Sequence, residues 1–155
     1  MKYEITNDET FIHRCLTDPV LWRMGKDDSL AGVNNRLFFA PMNSGIVYVR
    51  VDDYGLLVGV PANHVSLDVH VALLPDARGK AVEICKGAMQ WVFQNSQKIM
   101  RMTASIPDYN RLAIRLAKQV GMEYIGVNKK SFMREGVLYD QHLYGISKED
   151  ICLER

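Results

Sequence analysis

The stretch LLPDARGKAVEICKGAMQWVF, residues 73–93, runs from apolar residues through a proline and the basic step Arg78-Gly79-Lys80 into a periodic segment. The spacings of three and four in this segment predict a long amphipathic helix, with these residues on its apolar side: Ala81, Ile84, Cys85, Ala88, Met89 and Val92. Unpaired N–H groups and the helix dipole favour a phosphate at such a helix start. The layout predicts a strand, a phosphate-holding loop and a helix, or else a plain strand-to-helix connection.

The residues before the loop, 65–74, show the clearest strand pattern in the chain. Successive side chains of a strand point to opposite faces of the sheet. Leu67, Val69 and Val71 therefore share one face, and Ser66, Asp68 and His70 share the other. This places a histidine and a carboxylate side by side, shortly before the loop.

The rest of the chain alternates between segments with the apolar spacing of a strand and segments with that of a helix. Strands are predicted at 2–6, 36–42, 46–51, 56–60, 102–107, 123–132 and 139–147, and helices at 7–16, 17–25 and 108–121. The assignment of individual strands between 33 and 62 stays open. Asn7 or Asp8 caps the first helix and Asp108 or Asn110 the last. The predicted inner residues of the last helix are Leu112, Ala113, Leu116, Ala117 and Val120. A Gly136 turn joins the final two strands.

This succession predicts an α/β fold. The order of elements is β-α-α, several strands, then α-β-α-β-β, in a single domain over residues 1–155 with a mixed sheet. No linker or repeat interrupts it.

The composition of the chain excludes some classes of function. The 155 residues are 48% hydrophobic and 24% charged, and the net charge of +1 argues against a nucleic-acid partner. The three cysteines, Cys15, Cys85 and Cys152, have no metal-ligand spacing, so no metal is expected, and Cys85 is predicted to be a buried thiol. Neither a signal peptide nor a membrane span is evident, which favours a cytoplasmic location without a membrane partner.

Two segments resemble the GNAT superfamily of N-acetyltransferases. LLPDARGKA resembles the family's acetyl-CoA-binding motif, and NRLAIRLAKQVGMEYIG resembles the Asn-led segment after the fifth strand. The resemblance implies a GNAT-like fold: a mixed, mostly antiparallel central sheet of about six to seven strands with about four helices, in the order β-α-α-β-β-β-α-β-α-β-β. It also implies acetyl-CoA as co-substrate and an amine acceptor of unknown identity, and it is compatible with a homodimer. The stretches DVHVALLPDARGKA and DPVLWRMGKDD are also similar to small phage and prophage members.

The resemblance implies roles for particular residues. A backbone N–H of Leu73 or Leu74 would hold the thioester oxygen, His70 would be the general base, and Asp68 would orient it. The alternative is that Asp68 and His70 form a satisfied polar pair on the sheet. The implied cofactor-binding residues are Leu73, Leu74, Arg78, Gly79, Lys80, Ala81, Val82 and Asn110. The acceptor side would be built from about 17–35 and 129–141.

Three positions depart from the family pattern. Ala81 stands for the first glycine of the motif, and Glu83 for the following small residue. An outward Glu83 side chain is expected, because an inward one would repel phosphate. Ala117 replaces the tyrosine that protonates the leaving thiolate, and the candidates to replace it are Tyr109, Tyr124, Tyr139 and Tyr144. These departures keep open the alternative of an inactive, acetyltransferase-like binding or structural protein.

Overall fold

The computed structural model describes residues 1–25 and 45–152, and the strand predicted at 36–42 lies outside them. The elements are β1 (Tyr3–Ile5), α1 (Glu9–Leu16), α2 (Pro19–Gly25), β2 (Val47–Val51), β3 (Gly55–Pro61), β4 (Ser66–Leu73), a 3₁₀ helix (Pro75–Lys80), α3 (Ala81–Asn95), β5 (Arg101–Pro107), α4 (Arg111–Gln119), β6 (Glu123–Arg134), β7 (Val137–Ser147) and α5 (Lys148–Cys152).

All seven strands lie in one sheet in the order β1-β2-β3-β4-β5-β7-β6. Only β4 and β5 pair in parallel, and every other neighbouring pair is antiparallel. The mixed, mostly antiparallel sheet expected from the sequence is confirmed. The parallel pair follows from the crossover through α3, which returns the chain to the same end of the sheet.

The predicted order of elements is confirmed, with two additions. The loop after β4 is a 3₁₀ helix that runs directly into α3, and a fifth helix follows β7. Gly136 forms the β6–β7 turn with φ of 73°, a left-handed conformation that glycine adopts without strain.

Side-chain caps mark the start of three helices, and Asp18 caps α2 by accepting hydrogen bonds from the Val20 and Leu21 N–H groups. Asp8 accepts a hydrogen bond from the Phe11 N–H at the start of α1, and Asn110 accepts one from the Ala113 N–H at the start of α4. One inner residue was predicted wrongly: Leu112 is 77% exposed, whereas Ile114 is buried. Leu112 lies on the same side of α4 as the exposed Arg115, three residues on, and this side faces away from the sheet.

Each face of the sheet carries its own apolar core. The α3 face packs against α3, α4 and α5 through residues that include Val49, Leu67, Val69, Met102, Ala104, Ile106, Tyr144 and Ile146. The α1 face packs against α1 and α2 through Tyr48, Leu56, Val58, Ala72 and Leu74. The two faces matter for the site because the sheet opens between them. Of the helices within 1–25 and 45–152, none combines the length and apolar character that a membrane crossing requires.

Candidate active site

The strands β4 and β5 part shortly after they meet. They pair at only three positions, Ser66 with Arg101, Leu67 with Met102 and Asp68 with Thr103. The remainder of β4 continues along β3 instead, as far as the pairing of Leu73 with Gly55. The second halves of β4 and β5 therefore leave a gap in the middle of the sheet.

A cavity of about 450 Å³ occupies this gap and reaches both faces of the sheet. This is within the size range of small-molecule sites. On the α3 face it is lined by residues such as Val69, Cys85, Met89, Ala104, Ala113, Ala117 and Met122. On the α1 face it is lined by Leu16, Leu21, Trp22, Met24, Val58, His70, Ala72, Ser105, Pro107, Phe132 and Gln141.

The backbone at the end of β4 directs one amide into the gap. The Leu74 N–H donates to the carbonyl oxygen of Tyr54, just before β3, at 2.8 Å. This amide therefore points toward β3 and not into the gap. Donors alternate along an antiparallel strand, so the N–H of Leu73 points away from β3, toward the side where β5 has separated. The family resemblance assigns the thioester oxygen to the N–H of Leu73 or Leu74. Of these two amides, only that of Leu73 is directed into the gap.

His70 and Asp68 lie together on the α1 face, as the strand pattern predicted. His70 Nε2 is 3.4 Å from Asp68 Oδ2, and Thr103 Oγ1 donates to Asp68 Oδ1 at 3.4 Å. The His70 side chain is 56% exposed and lines the cavity, whereas Asp68 is 32% exposed and lies behind it. An accessible imidazole backed by a carboxylate is able to accept a proton from a molecule in the cavity.

The start of α3 lies beyond the end of β4. No side chain caps this helix at Lys80, in contrast to α1 and α4, so side chains do not compete for the amides of its first turn. Arg78 and Gly79 are exposed, and a Cβ added at Gly79 would meet no atom within 4 Å. Ala81 and Val82 are half-buried and belong to α3 itself. Exposed backbone, a helix start and a guanidinium form a surface suited to an anion.

The Lys80 side chain is held in place by a hydrogen bond to Tyr54. Its Nζ donates to the Tyr54 hydroxyl at 2.8 Å, and this bond chiefly raises the pKa of Lys80, with a smaller contribution from the Glu83 carboxylate. Glu83 is exposed, and it also contributes to the raised pKa of Tyr3, of which burial is the main cause. Glu83 thus lies near enough to Lys80 and Tyr3 to influence both groups, and its outward orientation relative to a bound phosphate stays a prediction.

The tyrosines considered as replacements for Ala117 do not reach the cavity. Tyr109 donates its hydroxyl to the Met24 carbonyl, and Tyr139 packs edge-on against it. Tyr144 is buried in the core, and Tyr124 packs edge-on against it. Among the described residues that line the cavity there is no tyrosine.

Cys85 also lines the cavity on the α3 face. Burial raises the pKa of its thiol to about 12, so it is protonated at neutral pH. This agrees with the buried, unreactive thiol predicted from the helix pattern. Asn110 reaches the cavity as well, while its side-chain oxygen caps α4.

The acceptor side was assigned from the sequence to about 17–35 and 129–141, without an anchoring residue, and this assignment stays a prediction. The structure brings Trp22 and Met24 from α2 together with Ser105 of β5, Phe132 of β6 and Gln141 of β7. These residues are distant in sequence and form no motif. The segment Lys26-Asp27-Asp28, whose two carboxylates could attract a cationic amine, lies outside the described residues.

Comparison with known proteins gives a family and a fold. A family model described as "Protein of unknown function (DUF2824)" matches residues 26–154. The chain belongs to the DUF2824 family. A comparison of this DUF2824 chain with curated protein sequences finds no significant match.

Solved structures share the fold of this DUF2824 chain at low sequence identity. Spermidine N-acetyltransferase from Vibrio cholerae, in complex with CoA and spermine, superposes with a TM-score of 0.72 at 16% identity, over 97% of both chains. A GNAT-family acetyltransferase from Bacillus anthracis gives 0.67 at 18% identity, over 96% of both. The microcin C7 self immunity acetyltransferase MccE, in complex with acetyl-CoA and AMP, gives 0.55 at 22% identity, over 66% of this chain and 59% of MccE. The chain has the GNAT fold.

Proposed function

We propose that this protein is an acetyl-CoA-dependent N-acetyltransferase that transfers the acetyl group directly to an amine. The observation that carries the proposal is the gap between β4 and β5, into which the Leu73 amide is directed and on whose wall His70 lies. Neighbours of the same fold were solved with CoA or acetyl-CoA, which supports this choice of co-substrate.

The residues present fit the two ends of such a ligand. The apolar walls of the cavity on the α3 face suit an uncharged pantetheine arm. The exposed Arg78 and the open backbone at Gly79 suit a pyrophosphate, since Gly79 leaves room for close approach. Lys80 supplies further positive charge at the rim from its position against Tyr54.

When bound, acetyl-CoA supplies an activated thioester. The Leu73 N–H stabilises negative charge that develops on the thioester oxygen, and one such donor is typically worth about 10² to 10³ in rate. The walls of the gap hold the acceptor in line with the carbonyl carbon, which contributes through proximity and orientation.

His70 removes the proton that the amine must lose. At pH 7 a lysine-like amine is neutral only to a fraction on the order of 10⁻³, so a base near the nitrogen helps the reaction. Asp68 lies 3.4 Å from the imidazole and stabilises its positive charge once it has taken the proton. The nitrogen forms its bond to the acetyl carbon as the carbon–sulfur bond breaks.

The absence of a tyrosine at position 117 is compatible with this reaction. A thiol has an ordinary pKa of about 8.5, so the leaving thiolate is a weak base that takes its proton from water at neutral pH. The alternative of an inactive binding protein rests on Ala117 and Glu83.

The proposal is tested by incubating the protein with acetyl-CoA labelled in the acetyl group and with separate pools of acceptors. The pools contain small monoamines, polyamines, and peptides with a free N-terminus or lysine. We expect label in one pool together with an equal amount of free CoA, identified by mass spectrometry. Acetyl-CoA binding without transfer to any pool would favour the inactive alternative, and the absence of binding would contradict both.

A further inference from the structure

We propose that the acceptor is a monoamine carried on an aromatic group, an arylalkylamine, rather than a polyamine. This inference rests on the proposed function and concerns the half of the cavity on the α1 face, which we call the acceptor chamber. It is defined by Leu16, Leu21, Trp22, Met24, Val58, His70, Ala72, Ser105, Pro107, Phe132 and Gln141.

The walls of the acceptor chamber are mainly apolar. Its polar members among the described residues are His70, Ser105 and Gln141, and no described residue that lines the cavity is an aspartate or glutamate. Asp68, Asp108 and Asp140 are close in sequence to lining residues, but none of them lines the cavity. Asp68 faces His70 and Thr103, Asp108 pairs with His142 and Arg111, and Asp140 accepts a hydrogen bond from the Lys130 N–H. The described walls of the chamber therefore offer one place for a single amine, beside His70, and apolar surface for the rest of the molecule.

The aromatic wall of the chamber is fixed by contacts outside it. Tyr109 donates its hydroxyl to the Met24 carbonyl at 2.8 Å, which ties the end of α2 to the turn after β5. The same ring packs against Phe132, with 6.0 Å between centroids, and against Tyr139 at 5.0 Å. The surface that Phe132 presents to the chamber is thus held in place before a ligand arrives, which lowers the entropy lost on binding.

Charge decides between the two acceptor classes. Each ammonium that enters apolar surroundings loses hydration, and this loss is unfavourable unless an anion pairs with the charge. A polyamine brings further ammonium groups into a chamber whose described walls provide no carboxylate. An arylalkylamine brings one, next to His70, and its ring packs on Trp22 and Phe132.

The first experiment compares 2-phenylethylamine and tryptamine with spermidine as acceptors, at saturating acetyl-CoA. We expect kcat/KM to favour the aryl amines by about tenfold or more, and Trp22→Ala to remove this preference while the affinity for acetyl-CoA stays unchanged. Trp22→Phe and Trp91→Phe form a matched pair, because Trp91 is a half-buried residue of α3 that packs against the core and does not line the cavity. A preference for spermidine, or an equal loss for all amines in Trp22→Ala, would overturn the proposal.

The second experiment does not depend on catalysis. The chain has two tryptophans, so Trp91→Phe leaves Trp22 as the sole indole fluorophore. We expect 2-phenylethylamine, with CoA present or absent, to change Trp22 fluorescence saturably and spermidine to have no such effect at equal concentration. No saturable change with the aryl amine would overturn the chamber assignment, whether or not acetyl-CoA binds. A failure of acetyl-CoA binding alone would instead count against the proposed function.

Discussion

Asp68 and Thr103 form the last backbone pair that joins β4 to β5, and their side chains are joined as well, Thr103 Oγ1 donating to Asp68 Oδ1 at 3.4 Å. The second Asp68 oxygen lies 3.4 Å from His70 Nε2. The point at which the sheet opens therefore also sets the position of the imidazole on the wall of the gap. The proposed chemistry depends on this arrangement.

We predict that His70→Ala lowers kcat by about 10² to 10⁴, because a general base contributes on this scale. The affinity for acetyl-CoA should stay the same, and added imidazole should restore part of the rate. The control is His64→Ala, which alters an exposed histidine in the segment between β3 and β4. An unchanged kcat in His70→Ala, or an equal loss in both variants, would remove His70 from the mechanism.

We predict that Gly79→Ala weakens acetyl-CoA binding without lowering stability. The new Cβ meets no protein atom and Gly79 has no left-handed φ, so the free energy of unfolding should stay equal or rise by about 0.4 to 1 kcal/mol. The methyl group would occupy the space left for the pyrophosphate. Calorimetry for binding and urea denaturation for stability check this.

The matched control is Gly136→Ala, in the β6–β7 turn. A Cβ there also meets no atom, but φ is 73°, so we expect a loss of about 1 to 2 kcal/mol in stability with acetyl-CoA affinity unchanged. The reverse pattern, with binding lost in Gly136→Ala and kept in Gly79→Ala, would place the cofactor elsewhere.

We predict that Glu83→Gln changes the dissociation constant for acetyl-CoA by less than about threefold at physiological ionic strength, because exposed charges are largely screened there. The Glu83 side chain is exposed on the side of Lys80 and Tyr3. The measurement is a calorimetric titration of both proteins. A tightening of tenfold or more in Glu83→Gln would show that the carboxylate repels the phosphates in the wild type.

We predict a pH-dependent contribution of Asp108 to stability. His142 Nε2 lies 2.7 Å from Asp108 Oδ1, and this hydrogen bond chiefly lowers the pKa of Asp108 from its ordinary 3.8. The folded state then binds the proton less readily than the unfolded state, so the contribution is complete above about pH 3.8 and is lost as pH falls through the lower folded value.

Asp108→Asn should therefore be less stable than the wild type at pH 6, and the difference in unfolding free energy should shrink at pH 3. Asp76→Asn, at an exposed position of the 3₁₀ helix, is the control and should show no such change. Urea denaturation at both pH values measures this. A difference that stays constant with pH would show that Asp108 contributes through packing instead.

Local patterns predicted the fold well, because each helix and strand has its own spacing of apolar residues and is bounded by capping or turn residues. The strand at 65–74 and the helix from residue 81 follow from alternation and from spacings of three and four. Leu112 shows where such patterns fail. It was predicted as an inner residue of α4, but it lies on the exposed side of the helix with Arg115. An isolated leucine at a helix start does not reveal which way the helix is turned.

The candidate site was predictable only where it is continuous in sequence. The pair of Asp68 and His70, the end of β4 and the Arg78-Gly79 step lie within eleven residues of one another, so the strand pattern and the motif located them. The acceptor chamber includes Trp22 of α2 and Phe132 of β6, which come together only in the folded chain. Such a constellation depends on tertiary packing and has no local signature.

The most direct test of the account is a calorimetric titration of the wild-type protein with acetyl-CoA, paired with thermal unfolding at the same ligand concentrations. The account predicts saturable binding of one acetyl-CoA per chain, with a stabilisation of about 2.7 kcal/mol at a hundredfold excess over Kd. No binding heat and no rise in Tm at millimolar acetyl-CoA would contradict the claim that the gap between β4 and β5 is an acyl-CoA site.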